Sequence, residues 1–212
     1  MIGRTAAVTA ALLAAASAAE AKDGFYLDAK GGASFLQNLD SSAAGLTGDA
    51  DTKIGFVGSA AAGYAVDIPQ TGGTFRGEIE VAYRENDADE LEIGGFIFDL
   101  DGDITSKSIL FNGFYDFDLG SGWRPYFGVG VGAAQVEMDF ETNVAQTVDD
   151  EETVIAFQLS AGFGYQIAES VTISVGYRFF GTEEIEFTDE TGSRFETNYH
   201  AHTIEGGIRI VF

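Results

Sequence analysis

Large apolar side chains recur at every second position through most of this chain, the period of a β-strand and not of a helix. The clearest stretch is Thr153–Ile167. One parity there carries Ile155, Phe157, Leu159, Ala161, Phe163, Tyr165 and Ile167, and the other carries Ala156, Gln158, Ser160, Gly162, Gly164 and Gln166. Val171, Ile173, Val175, Tyr177 and Phe179 continue the pattern against Thr172, Ser174, Gly176 and Arg178. Near the end of the chain Ile204, Ile208, Ile210 and Phe212 alternate with Thr203, Glu205, Gly207 and Arg209. In Thr74–Arg84 the apolar parity is Phe75, Ile79, Val81 and Tyr83, opposite Arg76, Glu78, Glu80, Ala82 and Arg84. Eight strands are predicted, at 24–36, 52–66, 74–84, 104–118, 125–140, 153–167, 171–182 and 199–212. The stretch at 52–66 is the least regular, because Ser59, Ala60, Ala61, Ala62 and Gly63 blur its alternation.

The predicted connections alternate in length. Asp67–Gly73, Leu119–Arg124 and Ala168–Ser170 are short, while 37–51, 85–103, 141–152 and 183–198 are long. Long loops at one end, with short turns and both termini at the other, are what an even-stranded up-and-down barrel produces, and outer-membrane barrels show this asymmetry.

A soluble barrel, such as a lipocalin-like binding protein of the periplasm, would have the same period with its large apolar residues turned inward. Here the parity opposite the large residues is Gly, Ala, Ser and Gln with a few charges. Small side chains suit the interior of an eight-stranded barrel, which is only wide enough to be filled. They would cover a wet exterior poorly. The Phe, Ile, Val and Tyr parity is therefore expected to face lipid, where closure is required because an unpaired edge has no water to bond. Aromatic residues cluster toward both ends of the strands: Phe25, Phe75, Phe117, Trp123, Tyr126, Tyr165 and Phe212 at the short-turn end, and Phe35, Tyr83, Phe140, Phe179 and Tyr199 at the long-loop end. Two such rings match interfacial girdles.

Composition changes the picture in three ways. Residues 1–21 hold one early Arg4, an apolar run from Ala6 to Ala16 and the small-x-small sequence Ala19-Glu20-Ala21. This reads as a cleaved secretory signal peptide preceding a single barrel domain at 22–212, since the run is too short to span a bilayer. The absence of Cys rules out disulfide frameworks and thiolate chemistry. A net charge of −23, with 34 acidic residues against 11 Lys and Arg, argues against nucleic acid as a partner.

The final strand, ending in Phe212 with Ile210 and Ile208 at alternate positions before it, resembles the terminal signal that the barrel-assembly machinery reads in Gram-negative outer-membrane proteins. The 22–212 segment resembles the OmpA-like or opacity-type superfamily of eight-stranded barrels. Gly176-Tyr177-Arg178-Phe179-Phe180-Gly181-Thr182 is similar to a segment of its rickettsial surface-antigen branch. The resemblance implies an all-β, eight-stranded antiparallel transmembrane barrel, located in the outer membrane and contacting its lipid and lipopolysaccharide. The peptidoglycan-binding domain of OmpA itself has no counterpart in this sequence.

Candidate chemistry is concentrated in the inward parity. Asp28, Lys30, Arg76, Glu78, Glu80, Arg178, Glu205 and Arg209 are expected to form a charge cluster in the lumen, because buried charges must pair. Glu205, Arg178 and Lys30 should stand at similar heights on neighbouring strands. The cluster would act as a plug, or as a gate that exchanges partners to pass small cations. The four long loops carry 22 acidic residues and one base, Arg194, which suits solvated, mutually repelling surfaces. Asp99-x-Asp101-x-Asp103 has the opening spacing of a calcium loop but carries Ile104 where that loop needs Gly. No other cofactor is expected. The only histidines, His200 and His202, are tied to no Ser or acid by spacing, so no catalytic set can be assembled and an enzyme is not expected. The expected role is structural and surface-presenting, with a narrow cation-favouring channel or loop-borne binding as alternatives.

Overall fold

In the computed structural model, residues 23–36, 41–43, 46–52, 54–93, 96–141, 147–183, 185–188, 194–197 and 199–212 are described, and every regular element among them is a β-strand. The expected signal peptide lies outside these residues. Twelve strands occur: β1 (Gly24–Leu36), β2 (Ser41–Ala43), β3 (Leu46–Thr52), β4 (Gly55–Ile68), β5 (Gly73–Ile93), β6 (Phe96–Phe117), β7 (Trp123–Glu141), β8 (Thr147–Ala168), β9 (Val171–Thr182), β10 (Ile185–Thr188), β11 (Arg194–Thr197) and β12 (His200–Val211).

Eight of them form the barrel in the cyclic order β1-β4-β5-β6-β7-β8-β9-β12, every neighbouring pair antiparallel. Closure is made by β1 and β12, paired from Tyr26 opposite Val211 to Leu36 opposite Ala201. The Phe212 amide also donates to the Phe25 carbonyl at 2.8 Å, extending that seam to the end of the chain. The sheet thus has no open edge along this seam, as strands in hydrocarbon require.

The short turns lie at 69–72, 118–122 and 169–170. Two of them need left-handed backbone: Gly72 has φ +66° after β4, and Gly120 has φ +71° after β6. The Gly120 amide is held by the Asp118 carboxylate at 2.8 Å, an Asx-type turn.

The large apolar parity faces outward. Phe163 is 55% exposed, Ile173 and Ile208 44% and Phe157 39%, whereas Gln158, Arg178 and Glu205 from the alternate parity are at most 4% exposed. This orientation overturns the soluble, lipocalin-like alternative. Outward rings meet at the short-turn end in the pairs Phe25–Tyr64, Tyr115–Phe117 and Trp123–Tyr165, with centroids 4.9–5.0 Å apart. At the other end Phe179 packs against His200 and His202, and Phe56 against Tyr83.

Three expectations need correction. Tyr126 and Tyr199 are not girdle residues: both point inward and are buried, at 8% and 0% exposure. Their hydroxyls and rings fill the lumen, a fate set by the parity each occupies rather than by distance from the strand end. The segment 85–103 is not an open loop. β5 and β6 continue as a paired ribbon up to Ile93 opposite Phe96, because Leu91, Ile93, Phe96 and Phe98 carry the strand alternation among the acids. Asp99, Asp101 and Asp103 consequently lie on extended, paired backbone, not on the curled loop that wraps a calcium ion. The strand expected at 52–66 begins at Gly55; Thr52 ends β3, which pairs with β5 beyond the barrel proper. Phe140 belongs to β7, but its side chain lies outside the described residues.

Candidate functional site in the barrel lumen

The inward parity builds three layers. Nearest the short turns, Asp116 on β6 takes the guanidinium of Arg76 from β5 through both oxygens, each at 2.9 Å, and that of Arg209 from β12 at 2.9 Å. Arg76 also lies 3.5 Å from Glu78. Glu78 accepts from the Tyr26 hydroxyl at 2.7 Å and from Asn112 at 3.2 Å. The Arg76 guanidinium stands 4.4 Å over the Phe114 ring, and the Lys30 ammonium lies 5.0 Å from that ring's centre. A small cavity bounded by Asp28, Lys30, Arg76, Tyr126, Thr172 and Arg209 sits among these groups.

In the middle layer Arg178 on β9 grips Glu80 on β5 at 2.5 and 3.0 Å and reaches Glu205 on β12 at 3.0 Å. Gln158 accepts from Arg178 at 3.0 Å and donates to Glu80 at 3.2 Å. It also donates to Asn112 at 2.8 Å, which joins this layer to the one below. Charge-assisted, bidentate bonds of this kind are the strong ones, and they replace water that the interior excludes.

Above them an apolar collar closes the lumen: Leu36, Ile104, Leu110, Ala134, Val136, Ala156, Phe180, Tyr199 and Ala201. Arg84 enters this collar with its guanidinium 4.0 Å from the centre of the Phe180 ring.

The eight charged residues expected in the lumen are all found there. Six of them (Arg76, Glu78, Glu80, Arg178, Glu205 and Arg209) join the paired layers, and Asp28 and Lys30 line the cavity among them. Lys30 stands apart from the predicted trio with Arg178 and Glu205, because its side chain turns down over Phe114 while Arg178 and Glu205 pair with each other. Sequence reasoning missed Asp116, the hub of the lower layer. It sits on the inward parity of β6 with Asn112 and Phe114, a parity whose large side chains (Ile104, Leu110, Phe114) disguise the alternation. It also left Arg84 outside the cluster, although Arg84 shares the parity of Arg76, Glu78 and Glu80. With these two, the lumen holds five cations (Lys30, Arg76, Arg84, Arg178, Arg209) and five carboxylates (Asp28, Glu78, Glu80, Asp116, Glu205) among the described residues. The lumen is charge-balanced although the chain is strongly acidic.

The small residues of the inward parity make room for these side chains. A Cβ on Gly128 would overlap the Phe114 ring, and one on Gly176 would overlap the Tyr126 hydroxyl.

The family model of the outer membrane protein beta-barrel domain matches residues 5–212. This chain belongs to that family. The barrel is accordingly a protein of the Gram-negative outer membrane, as the lipid-facing parity requires. PagN, an outer membrane protein of Salmonella typhimurium, is 23% identical over 199 residues, covering 84% of this chain and 82% of PagN. A Rickettsia conorii protein named Putative adhesin RC1281 is 28% identical over 165 residues, covering 64% of this chain and 66% of its own length, slightly under two thirds. Among solved structures, Neisserial surface protein A (NspA) superposes with a TM-score of 0.56 at 21% identity, over 89% of this chain and 97% of NspA. A major outer membrane protein of Thermus thermophilus gives 0.58 at 12% identity, over 89% and 99%. The Escherichia coli protease OmpT gives 0.51 at 9% identity, over 92% and 99%. At these identities the likeness to solved structures is one of fold alone.

Proposed function

We propose that this protein is a plugged, surface-presenting barrel: a rigid membrane anchor that holds acidic loops at the cell exterior and does not pass solutes through its lumen. The observation that carries this reading is the filling of the lumen cross-section, with two ion-paired layers below and the apolar collar above, all nearly inaccessible. A constriction lined mainly by apolar side chains opposes ion passage. The charge balance of the lumen also weakens the cation-favouring channel, which would need an excess of carboxylates along the path.

Adhesion through the loops is a second reading, favoured by the rickettsial relative's name. Non-enzymatic function is supported by the placement of the histidines. His202 faces outward, with Nδ1 bonded to the Tyr177 hydroxyl, and both histidines pack on Phe179 at the upper girdle rather than into a cleft. Partners under this reading are the surrounding lipid and lipopolysaccharide, and, through Ile208, Ile210 and Phe212 at the closing strand, the assembly machinery.

Planar-bilayer recording of pure refolded protein tests the plug. The expected record is no steps above baseline; steady ohmic conductance with cation selectivity would overturn it in favour of the channel. Protease accessibility on intact cells tests presentation, with cleavage expected only in the long connections.

A further inference from the structure

Arg84 stands outside both ion-paired layers. It is fully buried, and its Nη1 donates to the Ser108 hydroxyl at 3.1 Å. Among the described residues its Nε and Nη2, the side-on fork of the guanidinium, have no partner. The guanidinium carbon lies 4.0 Å from the centre of the Phe180 ring, which covers that side of the group. Two buried hydroxyls, Ser106 Oγ and Tyr199 OH, are also without partners among the described residues. Ser106 lies directly opposite Arg84 in the β5–β6 register, on the same inward face. Tyr199 packs edge-on against the same Phe180 ring, with centroids 5.8 Å apart. The nearest layer of carboxylates is already engaged, since Glu80 and Glu205 are both bonded to Arg178.

An uncompensated guanidinium in an apolar collar is costly, and water can satisfy its hydrogen bonds but not its charge. The open Nε–Nη2 fork is the edge that takes a carboxylate or halide in plane. Hydroxyls beside it can each donate one further bond. We propose that the outer end of the lumen binds a small monovalent anion, a halide or a compact carboxylate, on the Nε–Nη2 edge of Arg84, with the Ser106 and Tyr199 hydroxyls as additional donors. The site lies at an apolar collar that includes Leu36, Ile104 and Val136, so a compact anion suits it.

The test uses the full barrel folded in detergent micelles, with sodium chloride, bromide, acetate or gluconate at equal ionic strength. Ligands that bind only the folded state raise its unfolding midpoint. At about a hundredfold excess over its Kd, halide is expected to raise the midpoint by roughly 5–10 °C relative to gluconate, which is too large for the collar. A response to acetate but not to halide would assign the site to carboxylates. In bromide-soaked crystals an anomalous peak is expected in the plane of Arg84 beside Nε and Nη2. Arg84→Gln should abolish both signals. If that variant does not fold, Tyr199→Phe, which keeps the ring, should fold and weaken the midpoint response. Equal midpoints in all four salts, a halide response with no bromide peak at Arg84, or an anion response retained in Arg84→Gln would each overturn the proposal.

Discussion

Arg178 and Glu80 are joined by two hydrogen bonds across the lumen, although 98 residues separate them in the chain. The pair ties β9 to β5, strands that are not neighbours in the barrel wall, so the middle layer acts as an internal strut.

Removing one side of this strut leaves a buried charge without its partner. Arg178→Met is expected to destabilise the barrel by about 3–5 kcal/mol. Glu205→Ala should cost less, about 1–3 kcal/mol, because Glu80 keeps its bidentate hold on Arg178. Urea unfolding in lipid vesicles measures both. An unchanged stability and unchanged conductance in Glu205→Ala would argue against any plugging or gating role for the middle layer.

The close approach of Gly128 to Phe114 makes a second prediction. The Phe114 ring also has the Arg76 guanidinium 4.4 Å and the Lys30 ammonium 5.0 Å from its centre, which limits where it can shift. Gly128→Ala should therefore cost about 1–3 kcal/mol through overpacking. Adding Phe114→Leu should recover most of that loss, and a double-mutant cycle reads the coupling directly. Additive losses would show that the two positions do not touch.

A third prediction tests which face meets lipid. Val175 projects outward midway along β9 and is 56% exposed. Val175→Arg is expected to cost about 2–4 kcal/mol in bilayers, against about 0–1 for Leu119→Arg in a short turn. Comparable small costs at both sites would contradict burial of the Val175 position in hydrocarbon.

The closing strand separates assembly from stability. The Phe212 backbone, not its ring, makes the bond to Phe25, so Phe212→Ala should refold normally from denaturant into detergent. In cells, the heat-modifiable folded band should fall several-fold if the side chain is what the assembly machinery reads. Equal folded yields in cells would remove Phe212 from that role.

The strands most legible in the sequence are those whose two faces differ most in chemistry. β8, β9 and β12 present Phe, Ile, Val and Tyr to one side and small or charged residues to the other, and their barrel portions can be placed to within a few residues. β6 is harder, because Ile104, Leu110 and Phe114 point inward while Ile109 and Phe111 point outward. A strand that is apolar on both faces hides which parity is which, and Asp116 escapes sequence reasoning for that reason. The ribbon continuing β5 and β6 escapes it because its acids read as a solvated loop, although Leu91 and Phe98 carry the alternation beneath them.

The amino-acid sequence by itself determined the period, the number of barrel strands, the direction each parity faces and most of the charges that enter the lumen. Those properties follow from local alternation and from the rule that hydrocarbon accepts only closed, fully bonded backbone. Only the tertiary structure decided which charges meet. Ion pairing depends on the relative heights of strands brought together by closure, and on side chains such as Tyr126 and Phe114 that claim the space above particular glycines. The same closure stranded Arg84 in an apolar collar, one layer above the carboxylates, a placement that no spacing along the chain expresses.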